Sequence, residues 1–111
     1  MPRTDLGTSV FHILVALAGQ DRHGYSIMQD VASRTGGRIK LSPGTLYGAI
    51  RRLLEEGLIQ ELDERPEQDD ERRRYYRLTR AGYAAAREEA ARLELLLSQA
   101  RVNGLVPGDA G

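Results

Sequence analysis

The residues whose types and spacing suggest chemistry are arginines set among glycines and tyrosines. The run Ser42-Pro43-Gly44-Thr45-Leu46-Tyr47-Gly48-Ala49-Ile50-Arg51-Arg52-Leu53 brings Gly44, Gly48 and Arg51 to one side of any helix it forms. Small residues let a helix approach another surface closely. Guanidinium groups beside them make forked hydrogen bonds to phosphates and guanine edges. A second cluster, Arg72, Arg73, Arg74, Arg77 and Arg80, is interleaved with Tyr75 and Tyr76. Between Arg38 and Arg52 stand Arg38, Lys40, Arg51 and Arg52, with no acid. The acids gather between Glu61 and Glu71 and along the C-terminal third, so a formal net charge of zero, from 16 basic and 16 acidic residues, hides a segregated distribution. Positive charge arranged this way suits double-stranded DNA.

Other chemistries find little support. The chain has no cysteine, which excludes disulfides, thiolate catalysis and cysteine-ligated zinc. His12 and His23 are far apart, and no acidic cluster has ligand spacing with either, so no metal is expected. There is no nucleophile motif and no phosphate-binding glycine loop; Gly36-Gly37 and Pro43-Gly44 are punctuation. Neither an enzyme nor a cofactor is expected. No stretch approaches the roughly 18 apolar residues of a membrane span, and the start, MPRTDLG, lacks the pattern of a signal peptide. A cytoplasmic protein without a membrane partner is expected, with 111 residues sufficing for one modest core.

Several elements must position the arginines. Thr8 to Ala18 reads as a helix with Val10, Ile13, Leu14 and Leu17 on one stripe, Phe11 and Val15 off it, and Thr8 or Ser9 as cap. Gly24 to Thr35 reads as a second helix, with Tyr25, Met28, Val31 and Ala32 inward, His23 or Asp21 ahead of it, and Gly36-Gly37 as the stop. Alternation over Arg38 to Leu41 would suit one small strand. Ser42-Pro43 is a strong start for a third helix reaching about Glu56. Leu46, Ile50 and Leu53 would face inward and Gly44, Thr45, Tyr47, Gly48, Arg51 and Arg52 outward. Tyr47 stands at the border and could belong to the core, and Arg51 and Arg52 could pair with Glu55 and Glu56. Leu58 to Asp63 and Arg73 to Leu78 alternate as strands around the polar loop Glu64 to Glu71.

Thr79 caps a last helix reaching about Arg101. Its Tyr83, Ala86, Ala90, Leu93, Leu97 and Ala100 recur at heptad spacing, with a Glu88–Arg92 pair on the solvent side. That seam, with Phe11 beside it, is expected to pair two chains. The fold class is mainly α with a small β-hairpin. A winged helix-turn-helix is expected over residues 1–78, a dimerisation helix over 79–101 and a frayed, flexible tail over 102–111.

Residues 23–28, HGYSIM, with the run from Ser42 to Leu53, Gly57-Leu58-Ile59 and Arg74-Tyr75-Tyr76-Arg77-Leu78-Thr79-Arg80-Ala81-Gly82, resemble the PadR family of bacterial transcriptional regulators. The resemblance covers roughly residues 8 to 100. It implies a homodimer of the short subfamily, with a single C-terminal helix, that represses nearby genes from an inverted-repeat operator and is released by a small aromatic or cationic ligand. It also implies that Ser42, Thr45, Tyr47, Arg51 and Arg52 face DNA, with Arg72, Arg73 and Arg74 in the wing.

Two features depart from that pattern. The wing tip carries Glu64, Glu67, Asp69, Asp70 and Glu71 against Arg65, so phosphate should repel it and only the base of the wing should touch the duplex. There is also no tryptophan to stack a flat ligand; Phe11, Val15, Tyr83 and Leu93 are the candidate lining of an effector cavity between the first and last helices. Zero net charge and the acidic tip keep a second reading open, a winged-helix module that binds protein and not DNA.

Overall fold

The computed structural model describes residues 7–62 and 73–107. The acidic loop Glu64 to Glu71, Arg72 and the last four residues lie outside that range. Helix α1 spans Thr8–Gly19, strand β1 Arg22–His23, α2 Gly24–Arg34, α3 Pro43–Glu55, β2 Ile59–Glu61, β3 Tyr75–Leu78 and α4 Arg80–Val102.

Local chemistry sets most of these boundaries. Ser42 Oγ accepts the Thr45 N–H at 3.1 Å, and Pro43 opens α3. Thr79 Oγ1 accepts the Gly82 N–H at 3.0 Å and donates to the Gly57 carbonyl at 2.6 Å, which fixes the start of α4 against the end of α3. His23, not Asp21, caps α2: its Nδ1 accepts the Ser26 N–H at 3.1 Å. Neither Thr8 nor Ser9 caps α1. Gly7, at φ 74°, holds that position with no side-chain bond, and both hydroxyl residues already lie inside the first turn.

The sheet has three antiparallel strands in the order β1-β3-β2, with Ile59 opposite Leu78 and His23 opposite Tyr75. The third strand is thus Arg22–His23, not a strand within 38–41. Thr35 explains the difference, because its carbonyl takes the Arg38 N–H and its hydroxyl takes the Ile39 N–H at 3.0 Å, committing that backbone to the end of α2. Arg22 secures β1 by donating to the Ala16 carbonyl at 2.9 Å and the Ser26 hydroxyl at 3.1 Å, and it pairs with Asp30 at 3.2 Å.

The core is a single cluster. Ile13, Leu14 and Leu17 of α1, Ile27 and Val31 of α2 and Leu46 and Leu53 of α3 are its largest fully buried members, closed by Ile59, Tyr76 and Leu78 of the sheet. Truncating one of these leucines would cost about 2–5 kcal/mol. Gly82 is held by packing, because a Cβ there would collide with the Leu58 carbonyl oxygen. Among the described residues, no helix is long and apolar enough to cross a membrane.

Candidate nucleic-acid interface

Helix α3 has two distinct sides. Leu46, Ile50 and Leu53 enter the core, while Ser42, Gly44, Thr45, Tyr47, Gly48, Arg51 and Arg52 are all exposed. Among the described residues, a Cβ built at Gly44 or Gly48 meets nothing within 4 Å. None of them therefore requires glycine at either position, although glycine in a helix interior costs about 1 kcal/mol relative to alanine. Arg52 forms an i,i+4 pair with Glu56 at 3.3 Å, an exposed contact that a competing anion can open at little cost. Arg51 has no ion-pair partner among the described residues.

Tyr47 leans from the edge of this face toward α2. Its ring lies over Gly24, where any Cβ would strike the phenol, yet the side chain remains 47% exposed. Beyond it, a groove of about 460 Å³ runs between the start of α2 and β3. One wall holds His23, Gly24 and Tyr25, and the other holds Arg73, Arg74 and Tyr76. The His23 ring stands edge-on to Tyr75 at 5.2 Å, and its Nε2 lies 3.1 Å from an Arg73 guanidinium nitrogen. Burial pushes the Tyr76 phenol above its usual range, and the neighbouring Glu61 carboxylate pushes it further.

The sequence pattern placed Tyr25 inside, and that is corrected: Tyr25 is 57% exposed. Ile27, two residues on and so on the opposite side of the helix, takes the core position together with Val31. Met28 and Ala32 are only half-buried. Tyr25 and His23 are the members of this surface that sequence reasoning missed; the available signal was Ile27–Val31, an aliphatic pair at i,i+4 that defines the inner face by itself. Of the wing arginines, Arg73 and Arg74 stand at the groove, and Arg72 falls outside the described residues.

Helix α4 packs on α1. Ala85 and Ala86 rest against the core of their own chain, and Glu89, 5% exposed, holds Arg92 through two hydrogen bonds of 3.0 and 2.6 Å. Arg92 thus pairs with the residue three before it, one place on from the expected Glu88, because Glu89 faces α1. Arg92 holds the Glu89 carboxyl below the ordinary carboxylate range. Along the heptad seam Tyr83, Ala90, Leu93 and Leu97 are exposed and Ala100 half-buried, and Leu95 and Leu96 are exposed beside them. Arg87 lies over the Tyr83 ring at 5.9 Å.

A cavity of about 460 Å³ between α1 and α4 brings together Phe11 and Leu93 with Thr8, His12, Glu89 and Arg92. Val15 and Tyr83, expected to share it, lie outside its lining. His12 Nδ1 is buried with no hydrogen-bond partner among the described residues.

Residues 13–88 match the model of the PadR-like transcriptional regulator family. The chain belongs to this family. The PadR-like regulator is 42% identical over 85 residues to the transcriptional regulator Rv3488 of Mycobacterium tuberculosis H37Rv, a match covering 77% of this chain and 75% of that one. Its fold superposes on a transcriptional regulator from Clostridium thermocellum with a TM-score of 0.70 and 28% identity, over 87% of this chain and 91% of the other. A PadR family regulator from Clostridium difficile R20291 shares the fold at a TM-score of 0.73 and 24% identity, over 86% and 96% of the two chains. The PadR-like regulator is accordingly a DNA-binding transcriptional regulator built on a winged helix-turn-helix.

Proposed function

We propose that this PadR-like regulator is a homodimeric repressor that lays the outer face of α3 in the major groove of an inverted-repeat operator. In this reading residues 1–78 bind DNA, 79–101 dimerise, and 102–111 are a tail. The observation that carries it is the exposed line Gly44, Gly48 and Arg51, where two glycines face empty space and an arginine stands one turn on. The major groove is about 12 Å wide and admits one helix, and glycines bring the backbone near base edges that arginine can read. Two such helices would engage half-sites about 34 Å apart. Ser42, Thr45, Tyr47 and Arg52 flank the line, with Arg72, Arg73 and Arg74 contributing from the wing base.

Pairing of two chains is supported by the exposed leucines at Leu93, Leu96 and Leu97, which continue the inner face of α4 past the end of its own body. The α1–α4 cavity supports a small-molecule effector, because it combines Phe11 and Leu93 with the unpartnered His12 Nδ1. An aromatic or cationic ligand there would release the operator by shifting one helix against the other.

The test is selection of bound fragments from random duplex DNA by the purified protein, followed by titration at several salt concentrations. One palindromic consensus, bound with steep salt dependence, is expected. No specific binding at low salt would favour a protein-interaction module.

A further inference from the structure

Three tyrosines, Tyr25, Tyr47 and Tyr76, line the groove between α2 and β3, and among the described residues none of their hydroxyls makes a hydrogen bond. Arg74 stands in the same lining, exposed and with no carboxylate partner among the described residues. His23 is already engaged, capping α2 and meeting Arg73. The groove therefore offers three phenol hydroxyls and a guanidinium. Burial holds the Tyr76 phenol above its ordinary range, so that hydroxyl keeps its proton as a donor. Such a set matches an oxyanion of low charge with several acceptor lone pairs, which describes a phosphodiester.

The groove also adjoins the outer face of α3, since Tyr47 belongs to both. A duplex lying along that face would carry its backbone past Tyr25 and Arg74. Gly24 matters here in a way its position in a helix would not suggest: it is the absence of a side chain at Gly24 that lets the Tyr47 ring lie where it does.

We propose that this groove grips one backbone phosphodiester of bound DNA, with Tyr25, Tyr47 and Arg74 as its donors and Gly24 as the residue that positions Tyr47. The proposal rests on the DNA-binding reading above and adds to it a phosphate site and a contact residue, Tyr25, outside the recognition helix and the wing.

The experiment uses the full chain and the selected operator, in duplexes carrying one uncharged methylphosphonate linkage at a time. For the wild type, one linkage per half-site should stand out, lowering affinity about 10-fold or more. Tyr25→Phe should weaken binding to the unmodified duplex about 5- to 30-fold without changing the preferred sequence or the salt dependence. Arg74→Ala should lower the slope of log affinity against log salt by about one. Each variant should lose less than the wild type at the sensitive linkage, because one of its donors is already gone. Wild-type affinity in both variants, or losses that simply add to every linkage, would overturn the proposal while leaving DNA binding intact. Absence of specific binding by the wild type would overturn the DNA-binding reading and this one with it. Inorganic phosphate competing without any position-specific methylphosphonate effect would assign the groove to a free anion and also overturn it.

Discussion

The outer face of α3 and the far half of α4 are both left uncovered by their own chain, one as glycine and arginine and the other as leucine. Exposed arginine is well solvated, and each exposed helical glycine costs only the propensity difference of about 1 kcal/mol. Exposed leucine leaves apolar area in water at roughly 25 cal/mol per Å². The two faces therefore call for different partners. The α3 face suits a hydrated, charged surface, with an affinity that falls as salt rises. The α4 face suits an apolar surface, with an affinity nearly indifferent to salt.

The largest effect is expected where α4 is made polar. Leu93→Glu together with Leu97→Glu should leave a folded monomer, since both side chains are exposed within the chain. Operator affinity should fall about 10²–10⁴-fold, because two half-sites are no longer held together. Sedimentation and operator titration check this, and an unchanged mass would break the comparison. Next comes Arg51→Ala with Arg52→Ala, expected to lower operator affinity about 100-fold while leaving unfolding free energy within about 0.5 kcal/mol, since the Arg52–Glu56 pair is exposed. Smaller again is Gly82→Ala, expected to destabilise by about 1–3 kcal/mol in urea unfolding, because there the glycine serves the chain's own packing against Leu58.

The smallest effect concerns Asp21, which takes two hydrogen bonds from Arg77 at 3.0 and 2.7 Å and is held by them below its usual range. The pair stabilises the fold above about pH 4, and its contribution fades as acid carries the solution through the lowered value. Asp21→Asn should therefore reduce stability slightly at neutral pH and less once acid has carried the solution through the lowered value, when followed by urea unfolding at each pH. Salt should diminish even that difference, because both side chains are well exposed.

Much of this was legible in the sequence, for identifiable reasons. Pro43 after Ser42, and Thr79 ahead of Gly82, are local signals, and local signals fixed the starts of α3 and α4. The two sides of α3 followed from the spacing of Leu46, Ile50 and Leu53. What escaped depended on contacts distant in sequence. Strand β1 exists because Arg22 and His23 meet Tyr76 and Tyr75, more than 50 residues away, as the strand register records. Tyr25 looked like core because it shares a helical stripe with Met28 and Ala32, whereas the ring that rests on α2 is Tyr47, admitted there by the bare backbone of Gly24. The partner of Arg92 depended on which glutamate turned toward α1.

Gly48→Ala tests most directly whether the outer face of α3 meets DNA. Unfolding free energy and operator affinity should be measured on the same preparation. With nothing near the new methyl group, stability should rise by about 0.5–1 kcal/mol while operator affinity falls. A more stable protein that binds its operator as tightly as before would contradict the assignment of that face.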